Sequence, residues 1–223
     1  MDDATRIWVK GREYSVDRLL GDAYPMDAKR YKNGALGIFR LAPQDYHRFH
    51  VPVDGVMGTP KTIEGEYYTV NPMAIRSALD VYGDNVRVIV PIDSVAHGRV
   101  MYICIGAMMV GSTVITRRAG ENIKRAEELG YFRFGGSTIL LLFEPGTMVF
   151  DDDIVENSNG ALETLVSVGS LRVEAVCADH LGQVRVGMSV GHDPKSGPYR
   201  PDMRKDEENI TLEDRQEAKR RIE

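Results

Sequence analysis

Two short blocks carry most of the side chains that could do chemistry. The first is Asp45-Tyr46-His47-Arg48-Phe49-His50. Two imidazoles three residues apart share a face in a helix and could then ligate one metal ion. In an extended segment they point to opposite faces, and each has a separate job. A metal site needs further ligands, and the candidates His97, Cys104 and Asp54 are scattered along the chain. An arbitrary histidine pair is most often two partly buried rings satisfied by backbone. The density of Asp, Tyr, Arg and His in one short block weighs here towards a site.

The second block is Phe134-Gly135-Gly136-Ser137-Thr138, immediately before an apolar run. It is not the nucleophile elbow of the hydrolases, because Ile139 stands where that motif needs glycine. Nor is it a phosphate-binding P-loop, since the lysine is missing. Gly-Gly-Ser alone is a common turn. Its chemistry is nonetheless permissive: two glycines give access to strained backbone geometry and leave the Gly136 carbonyl unshielded, with a hydroxyl one residue away.

The elements that must position these blocks read mostly as strands. Val86–Ile92 and Thr138–Phe143 are short, nearly continuous apolar runs, as expected of strands buried on both faces. Turn signals fall between the runs at Asn33-Gly34, Asp54-Gly55, Gly83-Asp84 and Pro145-Gly146. The 17 uncharged residues between Arg99 and Arg117 are marginal for a membrane helix, and Gly106, Gly111 and the β-branched residues there fit a pair of buried strands better. Asp151–Asn157, acidic in its first turn, reads as a helix. Glu121–Leu129 has helical propensity but is bracketed tightly by Gly120 and Gly130. The expected fold is a β-rich α+β domain of antiparallel or mixed sheets with few short helices.

Composition bounds the rest. Of 223 residues, 43% are apolar and 27% charged, enough to bury a core and too much for wholesale disorder. The balance of 28 basic against 33 acidic residues argues against a nucleic-acid partner bound through bulk charge. Two cysteines, Cys104 and Cys177, cannot make a disulfide framework, and a reducing compartment is preferred. Asp2, Asp3, Arg6 and Lys10 interrupt any signal-peptide core, so any targeting region is expected upstream of Met1. From Asp193 the chain turns proline-containing and mixed in charge, with Thr211 and Asp214 able to cap a short helix. Residues 1–192 are therefore read as the catalytic domain and 193–223 as a charged C-terminal tail.

Taken together, Leu41–Gly55, Tyr68–Ile75, Gly106–Thr113 and Gly130–Phe143 resemble the phosphatidylserine decarboxylases, in order, from about Trp8 to Leu165. The two blocks in combination are highly specific. Their Gly-Gly-Ser-Thr form resembles the non-mitochondrial fungal branch, whereas bacterial and mitochondrial members usually carry Leu-Gly-Ser-Thr.

The resemblance implies a cofactor made from the chain itself. The Ser137 hydroxyl would attack the Gly136 carbonyl, and cleavage between them would give a β piece, 1–136, and an α piece, 137–223. A pyruvoyl group left at position 137 would form a Schiff base with the lipid amine and take up the electrons released with carbon dioxide. The product would be phosphatidylethanolamine, and the enzyme a carboxy-lyase made as a zymogen. By position, His50 matches the base that activates the serine and His47 the residue assigned to decarboxylation. Asp45, Asp54, Gly135 and Thr138 stand as supporting residues. Membrane contact would be peripheral, with Lys29, Arg30 and Lys32 as headgroup contacts. Golgi, endosomal or vacuolar membranes are favoured over mitochondria, and a homo-oligomer is compatible with all of this. The alternative is a processing-deficient relative that binds anionic phospholipid without catalysis.

Two departures stand out. The family's orienting acid lies upstream of a tryptophan–lysine–glycine segment, here Trp8-Val9-Lys10-Gly11, so it is expected outside this chain. Asp54 is the nearest substitute by sequence, and the chain as written is expected to be mostly uncut and inactive, with the upstream segment restoring cleavage. Residues 169–185, with Cys177 and His180, read as an insertion before the family's Val-Gly-Met-Ser-like segment at Val186–Ser189.

Overall fold

The computed structural model describes residues 6–9, 12–41, 46–75, 77–107, 113–133, 137–159, 163–164, 172–176 and 190–196. The chain opens with a hairpin of β1 (Arg6–Val9) and β2 (Arg12–Ser15). Helix α1 (Val16–Leu20) follows at once, capped by the Ser15 hydroxyl, which accepts the Arg18 N–H. Then come β3 (Ala35–Leu41), β4 (Arg48–His50), β5 (Gly55–Met57) and β6 (Lys61–Ile63). Two single-turn helices, α2 (Pro72–Ile75) and α3 (Val81–Asp84), lead into a long hairpin of β7 (Arg87–Ser94) and β8 (Gly98–Ile105). Four strands follow: β9 (Thr113–Ile115), β10 (Asn122–Ile123), β11 (Glu128–Phe132) and β12 (Ser137–Phe143). The remaining elements are β13 (Val149–Phe150), α4 (Asp152–Asn159), β14 (Glu163–Thr164), β15 (Arg172–Val176) and β16 (Gly191–His192).

A nine-stranded antiparallel sheet dominates, in the order β10-β5-β7-β8-β12-β3-β15-β14, with β6 also paired to β7. The fold is thus the strand-rich α+β domain with short helices that the patterning predicts. Alternation explains why its central strands look uniformly apolar. Val88, Val90, Ile92, Val100, Tyr102, Cys104, Ile139 and Leu141 face one core, while Ile89, Met101, Ile103, Ile105, Leu140 and Leu142 face the other. A second, three-stranded sheet, β4-β11-β9, covers the first face, driving Phe49 against Tyr102 and Phe132. The opposite face is covered by α1, α3, Tyr31, Val70 and Ile75.

Two polar residues pin that second layer. Arg87, only 4% exposed, donates to the carbonyls of Arg18, Leu19, Gly83 and Asn85, tying α1 and α3 to β7. Asn85 is fully buried and bonds the Tyr68 N–H and the carbonyls of Tyr68 and Gly106. Both satisfy main-chain groups that would otherwise be buried without partners.

Two local expectations are corrected. Glu121–Leu129 is not helical: Asn122–Ile123 is β10, Lys124–Glu127 is a turn, and β11 begins at Glu128. Pairing with β5 on one side and β4 on the other outweighs helical propensity. Gly83-Asp84 ends α3 rather than forming a free turn, because the Asp80 carboxylate caps it from the Gly83 N–H. Helix α4 lies where it was expected; of the two strands expected between Arg99 and Arg117, β8 is buried in the large sheet, whereas β9 is half-buried and pairs with β11 in the small one. Residues 172–176 of the apparent insertion form β15, paired with β3; Cys177, His180 and the capped segment after Thr211 lie outside the described residues. Among the described residues no helix is long and apolar enough to cross a membrane.

Candidate active site

The two blocks meet at one corner of the fold. In the large sheet Ser137, the first residue of β12, stands opposite Leu41, the last residue of β3. In the small sheet the His47 carbonyl accepts the Phe132 N–H at 2.9 Å, just beyond the start of β4. The segments flanking the histidines and the serine are therefore held side by side at both ends. Asp45, Gly135 and Gly136 lie outside the described residues.

Ser137 and Thr138 are fully buried, and neither hydroxyl has a hydrogen-bond partner among the described residues. The Nε2 atom of His47 is likewise buried without one. An orphaned buried polar atom costs about 1–3 kcal/mol, and three such atoms among the described residues fall in the two blocks that sequence singles out.

His50 is the opposite case, with both ring nitrogens engaged. Nδ1 lies 2.8 Å from the Ala126 carbonyl and Nε2 lies 3.2 Å from the Tyr46 hydroxyl. A carbonyl only accepts, so Nδ1 carries the proton and Nε2 the lone pair of the neutral ring. Burial holds the imidazole below its usual pKa; the Ala126 and Glu127 carbonyls and the Glu128 carboxylate pull the other way, and Arg48 assists burial. No hydrogen bond joins His50 to Ser137 among the described residues. Glu128 is the cross-strand partner of His50 and pairs with Arg48 at 2.5 Å. Gly130, two residues further along β11, is needed there: a Cβ would lie 2.2 Å from the Val114 carbonyl oxygen and 2.7 Å from the Phe49 ring.

Asp54 is not brought to His50. Its carboxylate accepts the Arg125 N–H at 2.6 Å and faces the Lys124 ammonium at 3.4 Å. Burial works to raise its pKa, but these two partners outweigh that and hold it below the usual value. Cys104 is buried in β8, and His97 bonds the Thr147 carbonyl at the tip of the β7–β8 hairpin. In the Lys29–Lys32 cluster Arg30 pairs with Asp27 and Glu144, while the Tyr31 ring is buried with its hydroxyl donating to the Arg99 carbonyl. The cluster's outward field is therefore smaller than four consecutive residues suggest. A cavity of about 940 Å³ lies at the far end of β12, against Leu141, Phe143 and His97, and does not include the histidine–serine corner.

Residue patterns alone missed three partners: Tyr46, Ala126 and Glu128. Tyr46 was visible inside the first block; the other two lie in the stretch whose propensity is helical, with no local signal of their contact with His50.

A buried serine hydroxyl without a partner among the described residues, and two histidines in distinct environments, are the side-chain types that nucleophilic and acid–base chemistry uses. Residues 1–192 match the sequence profile of the phosphatidylserine decarboxylases. The chain is 57% identical over 169 residues to phosphatidylserine decarboxylase proenzyme 3 of Schizosaccharomyces pombe, covering 76% of this chain and 17% of that protein. It is 47% identical over 195 residues to proenzyme 2 of Saccharomyces cerevisiae, covering 87% and 17%. With the Chlamydia muridarum proenzyme it shares 43% over 167 residues, 75% of this chain and 55% of that one. The chain belongs to the phosphatidylserine decarboxylase family, and it spans about a sixth of the length of these two yeast relatives.

Proposed function

We propose that this chain is the catalytic part of a pyruvoyl-dependent phosphatidylserine decarboxylase that processes itself between Gly136 and Ser137. The observation that carries the reading is the buried Ser137 hydroxyl, unpartnered among the described residues, at the head of a central strand and directly behind two glycines. The relatives' description as proenzymes supports it.

In the processing step the Ser137 oxygen bonds to the Gly136 carbonyl carbon, and the peptide C–N bond breaks to leave an ester and a free amine. Loss of the Ser137 α-proton with cleavage of its Cβ–O bond then releases Gly136 as a carboxylate. Water replaces the nitrogen left at position 137, and ammonia departs. His50, neutral and bearing its lone pair on Nε2, is the base for the serine proton. The burial of Ser137 keeps competing water from the ester. The residue present fits a pyruvoyl group, because Ser137 is buried with its hydroxyl unpartnered among the described residues and is preceded in sequence by two glycines. When present, that group supplies the electron sink for loss of carbon dioxide. The Nε2 of His47, without a partner among the described residues, supports a role for it in exchanging a proton with the substrate. Contact with the lipid would be peripheral, on Golgi, endosomal or vacuolar membranes, which the Gly-Gly form of the second block supports and cell fractionation tests.

Intact-mass measurement checks the reading. The chain as written should cleave at most slowly and in part, and a form extended upstream to include the family's acid should yield two pieces divided at Gly136–Ser137, the second with a blocked amino terminus. Ser137→Ala should remain one chain and turn over no phosphatidylserine. Cleavage at that bond in Ser137→Ala would overturn the assignment, and an extended form that stays uncut and still binds anionic vesicles would favour a silent lipid-binding relative.

A further inference from the structure

We propose that Tyr46 is a latch on His50: its hydroxyl occupies the lone pair that processing needs, while the Ala126 carbonyl dictates which nitrogen carries it. The inference rests on the self-processing reading above and adds to it a residue that restrains the base.

The carbonyl is held firmly. Ala126 sits at φ 71°, a left-handed conformation unusual for alanine. Its N–H donates to the Val51 carbonyl at 2.9 Å, and the Val51 N–H donates back to the Glu127 carbonyl at 2.8 Å. The turn is thus clamped to the residue after His50 from both directions, and the carbonyl cannot leave Nδ1 without breaking that clamp. Nδ1 therefore keeps its hydrogen whether the ring is neutral or charged. All basicity resides on Nε2, where the Tyr46 hydroxyl donates from 3.2 Å. The two rings are nearly parallel, with centroids 5.9 Å apart and planes 12° apart, which keeps the hydroxyl beside that nitrogen.

A neutral pair of partners thus does for the tautomer what a carboxylate does in a serine–histidine–aspartate triad. The difference lies in the second partner. The Ser137 hydroxyl has no hydrogen-bond partner among the described residues, so Tyr46 is not the middle of a wire from serine to histidine. To take the serine proton, Nε2 must first be given up by Tyr46. The groups facing His50 are Tyr46 and Arg48 from its own segment, and Glu128 with the Ala126 and Glu127 carbonyls from the segment packed against it. Donation by Tyr46 stabilises the neutral ring, since protonation removes the lone pair it uses. Removing that donor therefore frees the base and also raises the pH at which it sheds its proton.

Tyr46→Phe keeps the ring and removes only the hydroxyl. Intact-mass time courses across pH should show plateau cleavage about two- to tenfold faster than wild type, the span of one net hydrogen bond. The half-maximal pH should move upward. Slower or unchanged plateau cleavage overturns the latch. A second readout does not depend on cleavage: nitrogen NMR of His50 in the Ser137→Ala background, with and without Tyr46→Phe, whose dispersed spectra also report folding. The Nδ1–H tautomer in both forms, with an upward shift of the titration midpoint in Tyr46→Phe, is the expected result. An Nε2–H tautomer or an unmoved midpoint overturns it. An extended form that never cleaves sinks the self-processing reading, and the NMR arm still decides the latch.

Discussion

His47 and His50 are three residues apart and live in different surroundings. His47 is fixed through its own carbonyl to Phe132, and its Nε2 has no partner among the described residues, which suits a ring that meets something from outside the chain. His50 is saturated by Tyr46 and Ala126, which suits a ring that serves the chain itself. We expect His47→Ala to cleave normally but lose decarboxylation, and His50→Ala to cleave at least about 10²-fold more slowly, the usual loss of a general base. Mass spectrometry for cleavage and release of carbon dioxide for turnover separate the two outcomes. Equal cleavage by both variants would show that the roles are not divided in this way. The Asp54 carboxylate is engaged with Lys124 and Arg125, in the turn that carries Ala126.

At the scale of elements, Arg87 decides whether the layer over the second core stays in place. Its guanidinium bonds four carbonyls from α1, α3 and the approach to β7, among residues brought together from 68 and 69 positions away. Burial pushes its pKa down, Asp80 and Asp84 push it up and Arg18 lowers it. Replacing it with leucine fills the space but leaves those carbonyls buried without donors, so Arg87→Leu should lose about 3 kcal/mol or more in denaturant unfolding. Arg87→Lys should recover only part of that, because an ammonium lacks the planar fork that reaches several carbonyls at once. Full recovery by lysine would show that charge, not geometry, is what the site requires.

For the whole molecule, the processing bond proposed between Gly136 and Ser137 would have a structural consequence. Strand β12 begins at Ser137, pairs along its full length with β3 and over Thr138–Leu142 with β8, and every one of its residues is buried. Both neighbours belong to the piece that ends at Gly136. Cleavage therefore leaves the central strand of the nine-stranded sheet on one piece and its two partners on the other, with two cores meeting across them. The pieces should co-elute in gel filtration without denaturant and separate only when guanidinium unfolds the sheet. Spontaneous separation in native buffer would contradict the pairing of β12.

The two doubly buried runs, the strand pair between Arg99 and Arg117 and the helix after Asp151 were legible in the chain, because burial on both faces and acidic helix starts leave local marks. His47, His50 and Ser137 were visible there as candidates, since reactive side chains at fixed spacing are a property of the sequence itself. The order of the sheet, the strand–turn–strand at Glu121–Leu129 and the left-handed carbonyl at Ala126 were decided only in three dimensions. Helical propensity there amounts to a few tenths of a kcal/mol per residue, and pairing with strands far away in sequence exceeds it. For the same reason the partner that sets the His50 tautomer was not the nearest acid, Asp54, but a carbonyl 76 residues further along. Residue types limit which protons can move; the long-range pairing of β4 with β11 determines which nitrogen holds them.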